Sequence, residues 1–127
     1  MRFLQFLIVF LGGGLGSCSR YFISQIINSG LGIKHTFPVA TFTVNIVGCF
    51  ILGISIGLTE RFQFHSGWIL LLATGFCGGF TTFSTFSYEN HLLLRNNEYL
   101  LGLSYILASL FWGIAATFFS IFFMKRF

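Results

Sequence analysis

The residues of this chain that could do chemistry are hydroxyls, one amide and one arginine, set among long apolar runs. The densest group is Gly75-Phe76-Cys77-Gly78-Gly79-Phe80-Thr81-Thr82-Phe83-Ser84-Thr85-Phe86-Ser87. Glycines followed by closely spaced hydroxyls make a poor continuous helix, so a break is expected near Gly78–Ser84. Backbone freed by a break in a lipid environment is tolerated where it lines a cavity, binds an ion or is buried in protein. Freed carbonyls suit a cation, whereas freed N–H groups and hydroxyls suit an anion. A second group is Thr41-x-x-x-Asn45 followed by Gly48, with Thr41 and Asn45 on one helix face. Asn45 offers two N–H donors and an acceptor, for an interhelical hydrogen bond or for an ion path. A third, Tyr105, Ser109, Gly113 and Thr117, recurs every four residues and so forms one narrow stripe that lines a pore or packs tightly on a neighbour. Gly12 and Gly16 share a face with Arg20, which is too costly to leave in lipid and should line a wet cavity or reach an interface.

Catalytic arrangements, and metal sites built on histidine or cysteine side chains, are not expected. No nucleophile–base pair, carboxylate pair or phosphate loop is present, so the chain does not read as an enzyme. Cys18, Cys49 and Cys77 each lie in an apolar stretch without a CxxC pair and read as small packing residues. His35, His65 and His91 lack ligand spacing. The carboxylates Glu60, Glu89 and Glu98 are placed in or near loops.

These groups require positioning elements, and composition says what those are. Of 127 residues, 55% are hydrophobic and 8% charged, with a mean hydropathy of +0.86. A soluble domain carries roughly 25% charged residues, so the solvent here is mostly lipid. Four apolar stretches, Phe3–Ile27, Phe37–Leu58, Trp68–Ser87 and Tyr99–Met124, are each long enough for a helix to cross a bilayer. The reading is a single all-α membrane domain, residues 1–127, with four transmembrane helices. Leu15-Gly16-Ser17-Cys18 resembles a lipoprotein cleavage box, but the rest of the chain is as apolar as its start, so the first stretch reads as a retained helix. The net charge of +4 comes from scattered basic residues at segment ends, which argues against a nucleic-acid partner. With both termini on one side, Arg2, Arg61, Lys125 and Arg126 face Lys34 and Arg95, with Arg20 in or near the end of the first helix. That bias fixes orientation poorly.

The chain resembles the small bacterial fluoride channels of the Fluc, or CrcB, family over its whole length. The resemblance rests on the four helices, on Gly-x-x-Gly-x-x-x-Arg-Tyr ending at Tyr21, on Thr41-x-x-x-Asn45-x-x-Gly48 and on the string from Gly75 to Phe86. It implies passive fluoride export that lowers cytoplasmic fluoride toxicity, through an antiparallel, dual-topology homodimer in the cell inner membrane. An oppositely oriented paralogue is an alternative partner. It further implies that Phe83 and Phe86 line the fluoride pathway and that Asn45 contacts it. The hydroxyls Thr41, Thr82, Ser84, Thr85, Tyr105, Ser109 and Thr117 are candidates beside them. Arg20 would supply positive potential in the vestibule, and a structural Na⁺ at the dimer centre would be held by the backbone carbonyls of Gly78 and Thr81. Gly113 departs from the pattern, because some members carry Ser there. Two rival readings weigh less. A proton-coupled small multidrug exporter needs a membrane-embedded carboxylate, and an assembly subunit leaves the Gly75–Phe86 string unexplained.

Overall fold

The computed structural model describes residues 2–30 and 37–126. Among them there are helices and no strands. Helix α1 spans Arg2–Gly30 and α2 spans Val39–Phe62, directly after Pro38. Proline is tolerated there because the first N–H groups of a helix have no partner inside it. The third crossing is broken, as its sequence predicts. Helix α3 covers 66–80, α4 is Phe83–Arg95, and Thr81 and Thr82 lie between them. Helix α5, Tyr99–Arg126, completes the chain. Four helical segments, of 28, 24, 30 and 28 residues, are long and apolar enough to cross a membrane. This is a multi-pass membrane protein. Lys34 and His35 lie outside the described residues.

Two seams of small residues hold the helices together. Along the first, α1 packs on α3 through Gly12, Gly13 and Gly16 against Gly75 and Gly79. A Cβ on Gly12 would fall on the Leu71 carbonyl oxygen, one on Gly16 on the Phe76 carbonyl oxygen, and one on Gly79 on that of Gly13. Without side chains between them the two backbones touch, which is how helices gain packing energy where lipid supplies no hydrophobic drive. Over Leu70–Cys77, within this contact, α3 widens into π-helical turns. Along the second seam, α2 meets α5. Gly53 sits under Ser120 and the Thr117 carbonyl, and Gly57 under Met124 and Ile121. Lys125 pairs with Glu60 at the end of this seam.

The third crossing runs further than its hydropathy suggests. The apolar stretch stops at Ser87, and Glu89, Asn90 and Arg95 read as loop residues. Instead α4 continues to Arg95, so Glu89 lies in the helix and not in a loop. Two of the polar side chains there bond inside the protein, although Asn90 Oδ1 is buried without a partner among the described residues. Asn90 Nδ2 donates to the Phe86 carbonyl (2.9 Å), and Glu89 accepts hydrogen bonds from two other helices. Helix α4 ends in a tight turn with Asn97 in the left-handed region (φ 61°) and the Glu98 amide donating to the Leu93 carbonyl. His65 serves a helix start, its Nδ1 accepting from the Gly67 amide.

The glycine seam generates a prediction with an internal control. Gly14 on α1 has open space where a Cβ would go, whereas Gly16 has the Phe80 amide nitrogen within 2.8 Å of it. Gly16→Leu is expected to destabilise the protein by at least about 3 kcal/mol, the upper end of overpacking costs, because backbone and not a side chain must yield. Gly14→Leu is expected to be near neutral. Melting of both variants in detergent, followed by size-exclusion monodispersity, checks the contrast.

Candidate functional site

Thr81 and Thr82 leave the helix with extended backbone, at φ −78°, ψ 159° and φ −150°, ψ 118°. Asn45 on α2 repairs the break. Its Oδ1 accepts from the Thr82 amide (2.8 Å) and its Nδ2 donates to the Thr82 carbonyl (3.1 Å). One side chain thus satisfies both backbone groups of the residue that leaves the ladder. The hydroxyl of Thr82 caps α4 by accepting from the Thr85 amide (3.2 Å) and lies 3.0 Å from the Thr85 hydroxyl. Thr81 turns back, its amide and hydroxyl both donating to the Cys77 carbonyl. The Thr82 amide, which in an unbroken helix would close on the Gly78 carbonyl, goes to Asn45 instead. The Thr85 amide, which would close on the Thr81 carbonyl, goes to the Thr82 hydroxyl. The carbonyls of Gly78 and Thr81 therefore lose their helical donors.

The break lies between two cavities, and Thr82 lines both. The larger, about 390 Å³, runs between α2, α3 and α5. Its polar groups come from Asn45, Thr81, Thr82 and Ser109, and its aromatic wall from Phe83 and Phe86. The rings of Phe83 and Phe86 are 5.8 Å apart, and Phe83 is 79% exposed at the protein surface. The smaller cavity, about 240 Å³, is lined by Arg20, Ser17, Ser24, Thr41, Thr82 and Thr85, among others. Arg20 stands ten residues before the end of α1, about 15 Å along the axis, and among the described residues it has no carboxylate partner. The smaller cavity is thus a polar chamber with one positive charge.

Beyond this chamber lies a residue that sequence reasoning missed. Glu89 accepts from the Thr41 hydroxyl at Oε1 (2.6 Å) and from the Tyr105 hydroxyl at Oε2 (2.8 Å). Tyr105 is fully buried, with its ring against Phe86 (4.9 Å) and Phe37 (5.2 Å). The exporter reading weighs less in the sequence on the premise that every carboxylate lies in or near a loop. Glu89 corrects that premise: it is a half-buried carboxylate within a helix, with each oxygen accepting from a hydroxyl of another helix. Its sequence signal was faint: a lone acid one residue beyond an aromatic run, with Tyr105 and Thr41 on other helices.

The stripe on α5 divides among three tasks. Ser109 and Gly113 line the larger cavity. The Ser109 hydroxyl oxygen is buried and has no partner among the described residues. Tyr105 turns to Glu89, and the Thr117 hydroxyl donates to the Gly113 (3.1 Å) and Cys49 (3.3 Å) carbonyls on the α2–α5 seam. Ser84 is exposed at the start of α4, within 3.3 Å of the Thr82 hydroxyl. No group of three or more His, Cys, Asp or Glu side chains among the described residues is arranged to hold a metal.

Broken helix, amide bridge, paired phenylalanines and charged chamber coincide with a match to the family model described as CrcB-like protein, Camphor Resistance (CrcB), over residues 7–121. The chain belongs to the CrcB family. Its similarity to individual members is high and extends end to end. A protein of Gloeothece citriformis named fluoride-specific ion channel FluC is 54% identical over 123 residues, covering 97% of this chain and 98% of the relative. A protein of the same name from Solibacter usitatus is 40% identical, covering 97% of this chain and all of the relative. One from Pyrococcus abyssi is 43% identical over 121 residues. The names these CrcB relatives carry are those of channels, not enzymes.

The amide bridge sets an expectation for this CrcB chain. Asn45→Ala orphans both a donor and an acceptor, each worth about 1–3 kcal/mol when buried. It is expected to lower unfolding free energy by roughly 2–6 kcal/mol in the sum of those two penalties. Asn45→Asp keeps the acceptor for the Thr82 amide and is expected to lose less. Denaturant or thermal unfolding in detergent, with the two variants side by side, measures the order.

Proposed function

We propose that this protein is a fluoride-selective channel that lets F⁻ leave the cell passively, down its gradient, and so lowers cytoplasmic fluoride toxicity. The observation that carries the reading is the Asn45–Thr82 bridge, set between a chamber holding Arg20 and a groove walled by Phe83 and Phe86. The names of the relatives agree with it.

Fluoride is small and tightly hydrated, so its water must be replaced by short-range donors along the way. Arg20 draws the anion into the chamber, where the Thr85 and Thr82 hydroxyls and the N-terminus of α4 face it. Past Asn45, the edges of Phe83 and Phe86 present partial positive charge, and the unpartnered Ser109 hydroxyl is a further donor. Ring edges are weak ligands, which favours passage over trapping. Thr41 and Tyr105 direct their protons at Glu89, so either would have to release the carboxylate before serving an anion.

The assembly in this proposal is an antiparallel, dual-topology homodimer in the inner membrane, with pairing to an oppositely oriented paralogue as the alternative. Phe83, exposed at 79%, and Gly78, with open space over its Cα, belong to the face a second copy would cover. One chain presents the two carbonyls of Gly78 and Thr81 without their helical donors. Two chains related by a two-fold axis would present four oxygens, a fitting set for a resident Na⁺. Such an ion supplies a fixed positive charge that offsets the cost of bringing an anion into a low-dielectric interior.

Fluoride-electrode recording of efflux from liposomes containing the purified protein tests the function. Wild type is expected to empty fluoride-loaded vesicles while retaining chloride. Phe83→Ile and Asn45→Asp are each expected to slow fluoride efflux by at least about 100-fold, a barrier increase near 3 kcal/mol, without loss of the assembled protein. Efflux at the wild-type rate from both variants would overturn the pathway.

A further inference from the structure

Gly113 interrupts the polar stripe of α5 inside the larger cavity. Thr117, one turn further, has turned its hydroxyl into the α2–α5 seam. From Ser109 onward α5 therefore offers the groove no side-chain donor, although Cys49 and Leu52 on α2 also line it there. The nearest atom to a Cβ placed on Gly113 is the Cys49 sulfur, at 3.5 Å, with Ile46 next at 4.0 Å. Cys49 is half-buried and its thiol is free. A serine side chain at position 113 would thus reach toward the space that the sulfur holds.

We infer that the Cys49 thiol on α2 takes the place of the missing hydroxyl at Gly113, and that it is the donor that carries fluoride along this part of the groove. The inference rests on the fluoride-channel reading above and adds a residue to it. One observation carries it independently of the thiol. The Ser109 oxygen is buried in the same cavity with no partner among the described residues, so a donor there is unused by the fold. The step from Ser109 to Gly113 is one helical turn, about 6 Å, which is the distance an ion leaving Ser109 would cover to reach the thiol. A thiol is a weak donor to a neutral acceptor, but the bond is strengthened when the acceptor carries charge. A weak ligand also suits a site the ion must leave. The glycine and the cysteine are neighbours across α2 and α5: a Cβ at 113 would rest in ordinary contact with the sulfur, 3.5 Å away, so a donor on either residue's side chain serves the same stretch of groove.

The experiment is a set of fluoride-efflux rates from liposomes, read beside size-exclusion profiles. Cys49→Ala is expected to slow efflux about fivefold, the equivalent of one weak hydrogen bond of about 1 kcal/mol, at an unchanged elution volume. Adding Gly113→Ser to Cys49→Ala is expected to restore the rate to within about twofold of wild type, because the serine hydroxyl enters the space the sulfur vacated. Adding Gly113→Ala instead fills volume without a donor and is expected to restore nothing. Wild-type efflux from Cys49→Ala, or equal rescue by alanine and serine at 113, would overturn the role of the thiol. Ser109→Ala separates the two levels. If it slows efflux while Cys49→Ala does not, the groove reading stands and the thiol assignment falls. If neither substitution slows efflux, both fall.

Discussion

The structure depends on one constraint: a backbone broken inside a membrane must have its hydrogen bonds completed by protein. Thr82 leaves the helical ladder at a depth where lipid offers no donor or acceptor, and an unsatisfied group there costs several kcal/mol. Asn45 meets both needs with a single side chain. An asparagine is suited to this because its donor and acceptor lie on one planar group and match the N–H and C=O of one residue. The break in turn releases the carbonyls of Gly78 and Thr81, starts a new helix at Phe83 and turns the Phe83 ring outward.

Asn45 could not do this from a helix free to shift, and the two glycine seams prevent that. Packing between α1 and α3 is backbone on backbone, so a displacement of even a fraction of an ångström produces a clash. Packing between α2 and α5 is similarly close at Gly53 and Gly57, and the Thr117 hydroxyl joins the two helices by its bond to the Cys49 carbonyl. The seams draw helices together in pairs and leave space between the pairs. The larger cavity is that space, and Cys49 and Gly113 belong both to it and to the α2–α5 seam.

How far the site was legible in the sequence differed from residue to residue. The break was legible because glycines and clustered hydroxyls both oppose a continuous helix, and the Gly12–Gly16 face was legible because lipid-exposed helices have little other use for glycine at that spacing. The extent of α4 was not, because hydropathy measures transfer to lipid and cannot register that Glu89 would be solvated by Thr41 and Tyr105 from helices far away in sequence. The stripe on α5 was legible as a stripe, but not as one divided among a carboxylate, a cavity and a seam. Four-residue spacing places side chains on one face, while the neighbour that meets each of them is decided by packing. The orientation of the helices in the membrane has no strong determinant in the charges, since Arg2, Arg61, Lys125 and Arg126 stand against Lys34 and Arg95, with Arg20 inside or near the end of the first helix.

Glu89 presents the sharpest electrostatic question in the proposed channel, since a carboxylate beside an anion path should repel the ion. Its position answers much of this. Both of its oxygens are engaged by hydroxyl protons, which spreads the negative charge over three side chains, and the Arg20 chamber lies on the other side of Thr41. The hydroxyls that satisfy Glu89 are also the ones an arriving anion would seek. An ion that takes a hydroxyl proton from Thr41 or Tyr105 must compete with a carboxylate for it, so its new hydrogen bond is partly offset by the bond that Glu89 gives up. Binding at that point is therefore weaker than the number of hydroxyls suggests. A passive pathway needs this property, because an anion held by uncontested donors in a low-dielectric site would enter readily and leave slowly.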